Sequence, residues 1–345
     1  MSSDEAAGPG SDSGGPPVHA LVTGATGYVG SRLVAALADS GITVTASARD
    51  AAKFDRFDFP EQVHRVELDV ADHGSCVDAF AAAHERAGIA VTVAYFLVHS
   101  IGEGDFAEQD LDSARQFASA ARAAGVHRIV YLGGLVPANE ELSAHLDSRA
   151  DVGDALGDAG VELVWLRAAV ILGAGSTSFE LIRHIADRVP VIPIPTWMNH
   201  RVSPIAVDDV LRYLVAAAVA ERLPAGSYDI SNDDRPTYAE LIRAYADDKG
   251  LRRWWLPFPP VPPTLVARIA SWLTPLPRHL TADLIMSLPN SMDSNDHRIR
   301  DLVADAPLTT VTEALRRCRA PHDVVGVFAA RDPLQLVDTD PDWAG

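Results

Sequence analysis

The chain is short of lysine. Its 345 residues include only Lys53 and Lys249, so nearly all of its 29 basic residues are arginine. Against 47 Asp and Glu they leave a formal net charge of −18. An acidic chain repels phosphate backbones, which excludes nucleic-acid binding by general electrostatic attraction. Cysteine is equally scarce. Cys76 and Cys318 are too few and too far apart for a disulfide framework or a zinc site, so no metal is expected and a reducing, cytoplasmic setting fits. No stretch reaches the roughly 20 continuous apolar residues of a membrane span. The opening MSSDEAAGPGSDSGGPP has no apolar run, so residues 1–17 are expected to form a disordered tail rather than a signal peptide.

What is present is an alternation of short apolar runs with helical patterns. Strands are expected at His19–Thr23, Thr43–Ala48, His64–Val70, Ala90–Val98, Arg128–Leu132 and Glu162–Leu166. Helical segments at Tyr28–Ala38, Asp72–Ala87, Asp105–Ala124 and Ala144–Ala159 separate most of them. Such alternation implies right-handed crossovers and a parallel sheet covered on both faces. The fold class is therefore α/β, a doubly wound Rossmann sheet over 18–172 that later segments complete. Over 173–330 the rhythm loosens into a smaller, mainly helical region, expected to cover the substrate. Residues 331–345 carry little pattern and read as a tail or arm.

The segment LVTGATGYVG (21–30) follows the first strand and opens the first helix. Gly24 permits the tight turn, Gly27 lets the backbone approach a pyrophosphate, and Gly30 lets helix and strand pack closely. The free N–H groups of the helix start then face the phosphates. With Thr23 in front, the spacing resembles the TGxxGxxG fingerprint of the short-chain dehydrogenase/reductase superfamily, extended or atypical branch. That resemblance implies cofactor contacts from Gly24, Thr26, Gly27, Tyr28, Val29 and Gly30, and from Asp69 and Val70 at the adenine edge.

The second strand ends TVTASARD (43–50). NAD-specific members place an acid at this tip, where Ala48 stands here. Arg49 offers a cationic fork to a 2′-phosphate, while Asp50 beside it is the alternative ribose ligand. NADP(H) is the preferred expectation and NAD(H) remains possible.

The superfamily's catalytic Tyr-x-x-x-Lys is missing. At its place SAHLDSRADVGDAL (143–156) puts His145 and Arg149 at i, i+4 spacing, as candidate proton donor and ribose anchor. Gly133 and Gly134 stand where a catalytic Ser or Thr is usual. AYFLVHSIG, YLGGL, WLRAAVILGAGSTSFELIRHI and RVSPIAVDDVLRYL together resemble an atypical subgroup related to NmrA-like proteins and to the nucleotide-binding accessory subunit of respiratory complex I. That subgroup keeps the cofactor loop and lacks the usual active site. By the same resemblance Leu97 and Val98 flank the nicotinamide, with His99 as another candidate acid.

The later region is rich in aromatic residues and proline. Trp197, Trp254 and Trp255 are candidate linings for an apolar substrate, and Arg201 is a candidate anchor for an anionic group. Arg252 and Arg253 beside Trp254 leave room for peripheral membrane contact. The expected function is an NADP(H)-dependent oxidoreductase acting on a hydrophobic carbonyl compound or quinone. The alternative is an NADP(H)-binding sensor or assembly factor without turnover.

Overall fold

A computed structural model describes residues 17–98, 106–136, 144–289, 292–294 and 296–344. The first half runs β1 (His19–Val22), α1 (Tyr28–Asp39), β2 (Thr43–Ala48), β3 (His64–Glu67), α2 (His73–Ala87), β4 (Val93–Phe96), α3 (Phe106–Ala123), β5 (Arg128–Gly134), α4 (Ala144–Gly157) and β6 (Glu162–Ala168). Then follow β7 (Val170–Leu172), α5 (Thr177–Arg188), β8 (Val191–Ile194), β9 (Pro204–Ala206), α6 (Val207–Ala217) and β10 (Gly226–Ile230). The remainder is α7 (Tyr238–Asp248), β11 (Trp254–Pro257), α8 (Pro263–Leu273), α9 (Arg278–Ser287), α10 (Arg298–Leu302) and α11 (Val311–Cys318).

Seven strands form one parallel sheet in the order β10-β6-β5-β4-β1-β2-β3. Its strands are apolar on both faces because both faces are covered. In β1, Ala20 and Val22 enter the core shared with α1 and α6, while Leu21 enters the core shared with α2 and α3. Chain order reverses between β1 and β4, and a crevice opens there beyond the strand ends. The expected Rossmann architecture is what the chain adopts. The last strand, β10, joins β6 from outside the first half.

Local chemistry sets the helix ends. The Asp72 carboxylate accepts from the Gly74 N–H and caps α2, which ends on Gly88 with φ of +72°. Ser176 and Thr310 cap α5 and α11, and Thr237 with Glu240 forms a capping box on α7. Each cap satisfies an N–H that the helix itself leaves free.

Of the tail and the arm that the sequence left open, residues 331–344 take the second form. They form an arm packed on the sheet domain. Leu334 and Val337 are fully buried, and the Leu334 carbonyl accepts from the Ala174 N–H at 2.8 Å. Arg32 of α1 donates to the carbonyls of Pro333 and Gln335 and to both carboxylate oxygens of Asp340. The arm has no periodicity because its bonds go to side chains and loops rather than to a ladder.

Candidate functional site

The crevice holds two cavities that meet at Gly24, Gly27 and Leu97. One, of about 750 Å³, lies at the β2–β3 end, and the other, of about 350 Å³, lies over β5 and β6.

The glycine loop is built tightly. Gly24 has φ of +64°, a left-handed conformation that side chains resist. A Cβ on Gly30 would lie 2.0 Å from the Gly24 carbonyl oxygen, so only glycine lets α1 start this close to β1. The Thr23 hydroxyl donates to the Tyr95 carbonyl at 2.9 Å and accepts from the Leu97 N–H at 3.0 Å. It thereby fixes the end of β4 against the loop. The helix cap, Gly27, has no side chain, and the first turn of α1 carries no acid. Its N–H groups are therefore a seat for an anion.

Thr26, Arg49, Asp69, Val70 and Val98 all line the larger cavity. Tyr28, Val29 and Gly30 line the smaller one. Asp50, the alternative ribose ligand, instead caps a 3₁₀ turn at Ala51–Arg56 through the Ala52 N–H. Ala48 is buried, so no acid occupies the strand tip. Asp69 folds back on the Ala71 N–H at 3.1 Å, leaving the cap of α2 to Asp72. Lys53, four residues after Arg49, also lines this cavity. The sequence reading missed it, although its spacing from Arg49 across a short turn was the available signal.

Arg149 lies on the wall of the smaller cavity, half-buried, opposite the glycine loop. Its carbonyl accepts from the Tyr131 hydroxyl at 3.2 Å. Burial pushes that phenol up to about 12, against the pull of the Arg149 cation, and keeps it protonated. His145 is in the first turn of α4, one turn before Arg149. Its side chain and all of His99 lie outside the described residues.

The Tyr28 hydroxyl is buried without a hydrogen-bond partner, and Arg32 stacks 4.1 Å from its ring centroid. Burial drives this phenol far above its ordinary range, so it holds its proton. The hydroxyl is enclosed against Gly173, where a Cβ would lie 2.1 Å from it. Burial pushes both thiols up to about 12, away from the thiolate form.

Gly133 has a packing reason. A Cβ there would lie 2.6 Å from Trp165 Nε1 and 2.8 Å from the Tyr131 ring. Trp165 fills the space where the superfamily's Ser or Thr would project, and its ring also meets Gly153 of α4. A side chain at Gly133 is thus blocked sterically.

The residues expected to line the substrate side, Trp197, Arg201, Trp254 and Trp255, do not line either of these two cavities. Trp197 is buried and donates to the Val261 carbonyl at 3.3 Å. Arg201 bonds the Arg235 carbonyl on the surface. Trp255 packs under Arg243, 4.8 Å from its ring centroid, and Trp254 is 78% exposed. Both tryptophans sit on a two-stranded sheet of β8 and β11, separate from the main sheet. The cavity is closed instead by Leu280, Leu284 and Ser287 of α9, with Met292. These recur at helical spacing along α9, an apolar pattern the sequence reading passed over. Among the described residues no cluster of His, Cys, Asp and Glu could hold a metal ion.

A crevice at the switch point, a glycine turn bare of side chains and a helix start facing it define a dinucleotide-binding Rossmann protein. Residues 24–168 match the family model described as NAD(P)H-binding, so the chain carries an NAD(P)H-binding domain. A curated relative, a ceramide reductase from Caulobacter vibrioides (strain NA1000 / CB15N), is 29% identical over 239 residues, covering 67% of this chain and 70% of the relative. Among solved structures, a nucleoside-diphosphate-sugar epimerase from Staphylococcus aureus superposes with a TM-score of 0.67 at 15% identity, over 87% of this chain and all of that one. An NADPH-dependent quinone oxidoreductase from Escherichia coli, complexed with NADPH, gives 0.64 at 20% identity, over 86% and 99%. The fold is the one these enzymes share.

Proposed function

We propose that the chain is an NADPH-dependent reductase of a hydrophobic carbonyl compound or quinone, with a long-chain lipid ketone as the first substrate to test. The observation that carries this reading is the polarity of one cleft. At one end Arg49 and Lys53 flank the cavity, and at the other the apolar side chains of α9 close it. Two cations suit a 2′-phosphate, and an apolar wall suits a chain or ring beside the reacting carbonyl. The ceramide reductase and the NADPH-dependent quinone oxidoreductase to which the chain is similar point the same way.

When bound, NADPH would supply the hydride for the carbonyl carbon, and the oxygen would take a proton. On this reading Gly24, Thr26, Gly27, Tyr28, Val29 and Gly30 seat the pyrophosphate, and Asp69 and Val70 flank the adenine. Leu97 and Val98 flank the nicotinamide. Arg149 holds the ribose or the developing oxyanion from the cleft wall. His145, His99 or an ordered water delivers the proton. The blocked Gly133 position favours one alternative, a protein that holds NADP(H) without turnover.

The test is NADPH oxidation with a long-chain keto lipid, a quinone and a short aldehyde, using wild type, His145→Ala and Arg149→Ala. We expect turnover with the lipid ketone or the quinone, reduced by roughly 100-fold or more in one of the two variants. Tight NADPH binding with no oxidation on any substrate would instead establish the non-catalytic reading.

A further inference from the structure

Eleven large apolar side chains are exposed among the described residues, and eight of them are gathered in one region. Val191 of β8, Trp254 and Leu256 of β11, Leu265, Ile269 and Trp272 of α8, and their neighbours Phe258 and Met286 are all more than 40% exposed. They are not scattered. Trp254 pairs with Val191 in register, and Leu256 follows two residues later on the same face. Leu265, Ile269 and Trp272 are spaced four and three apart, one stripe of a helix. Both units are tied to the same end of α5. Arg253 donates to the Ala186 and Asp187 carbonyls, and Arg188 donates to the Leu273 carbonyl. Trp254 and Trp272, at 78% and 83% exposure, are the two most exposed of the set.

The charge here is opposite to the rest of the chain. Residues 249–282 contain five of the 29 basic residues and none of the 47 Asp and Glu. Arg252 and Arg268 are exposed, and among the described residues neither is in an ion pair. An apolar stripe with two outward tryptophans and exposed arginines, on a run of chain with no Asp or Glu between Asp248 and Asp283, is the chemistry of a surface that lies in the headgroup layer of an anionic bilayer. The remaining surface, strongly acidic, would be repelled by the same membrane and so orients the molecule.

We infer that the outer face of α8 and β8–β11 docks on anionic lipid bilayers. The helix next to it is α9, whose other side closes the smaller cavity. Docking therefore places the cleft one helix away from the membrane surface. The docking stands apart from the proposed reduction, and only its use in delivering a lipid substrate rests on that reading.

The test is flotation of the full chain with vesicles of phosphatidylcholine, alone or mixed with phosphatidylglycerol. We expect flotation with the mixed vesicles and little with the neutral ones, weakened by salt. The double variant Trp254→Ser, Trp272→Ser should lower partitioning by roughly tenfold or more. Arg252→Glu with Arg268→Glu should remove the preference for anionic lipid. NADPH binding, unchanged in both variants, reports that each is folded. Absence of flotation with anionic vesicles would overturn the inference, as would flotation that both variants leave intact. So would a dimer in light scattering that the tryptophan variant splits, because a second copy would then be what covers the patch.

Discussion

Arg32 in α1 and Asp340 in the C-terminal arm form a two-pronged ion pair at 2.8 and 2.7 Å, with both side chains almost fully buried. Arg32 stacks on Tyr28, which opens the helix at the glycine loop. The pair thus joins the cofactor loop to a segment that the sequence alone reads as a tail or arm. Removing one member leaves the other buried and uncompensated. Asp340→Ala should therefore cost about 3–5 kcal/mol of stability. The measurement is the denaturant midpoint, with NADPH affinity read on the same protein. A midpoint equal to wild type would show that the arm is dispensable.

The basic end of the cleft makes a cofactor prediction. A charge-assisted hydrogen bond contributes about 1.5–3 kcal/mol. Arg49→Ala should weaken NADPH binding by about 10- to 100-fold and leave NADH nearly unchanged. Lys53→Ala should act in the same direction with a smaller effect, because an ammonium offers one point of charge rather than a fork. Isothermal titration with both cofactors reads the difference. Equal losses for NADPH and NADH would remove the 2′-phosphate role.

Trp165 makes the opposite prediction from the superfamily pattern. Gly133→Ser would restore the usual residue type, yet its Cβ would fall 2.6 Å from Trp165 Nε1. We expect a loss of about 1–3 kcal/mol from overpacking and no gain in turnover. Thermal melting and the NADPH oxidation assay together decide it. A stable, faster Gly133→Ser protein would mean that Trp165 yields easily to a side chain there.

Asp209 in the first turn of α6 accepts from Arg212 and from the Thr309 N–H at 2.6 and 2.8 Å. Burial, with Asp208 beside it, pushes this carboxyl up to about 6 from an ordinary 3.8. Between those values the folded chain holds a proton that the unfolded chain has released. Stability from this group therefore rises as pH falls from about 6 toward 3.8, and is lost as pH rises through 6. Asp209→Asn should flatten that segment of the curve of midpoint against pH. A variant whose curve keeps the wild-type slope would place the titration on another residue.

Much of the first half was legible in the chain. β2 runs over Thr43–Ala48 as its apolar alternation with polar neighbours predicts, and the glycine loop turns where its spacing requires. Those signals are local, carried by consecutive residues. The later strands were not legible. β7, β8 and β9 span only three or four residues, and β8 and β9 contain proline. They exist because a distant partner lies alongside. The cleft divided in the same way. The cofactor end is built from short motifs and reads out directly. The substrate end depends on which helix folds over β5 and β6, and the tryptophans drew attention to a surface that faces away. Aromatic content marks apolar surface without saying whether a ligand, the core or another phase covers it.

The arm gives the order of synthesis a physical consequence. Arg32 and Asp340 lie 308 residues apart along the chain. A ribosome delivers the glycine loop and its helix early, and the partner that neutralises Arg32 long afterwards. Throughout that interval the nascent dinucleotide domain carries an unneutralised guanidinium where the finished protein has a sealed pair. The domain can collapse and form its strands, but it cannot reach its final stability until the arm has emerged and closed. Chains that stop short of residue 340 would be left in that interim state, exposed to proteases that the completed fold resists.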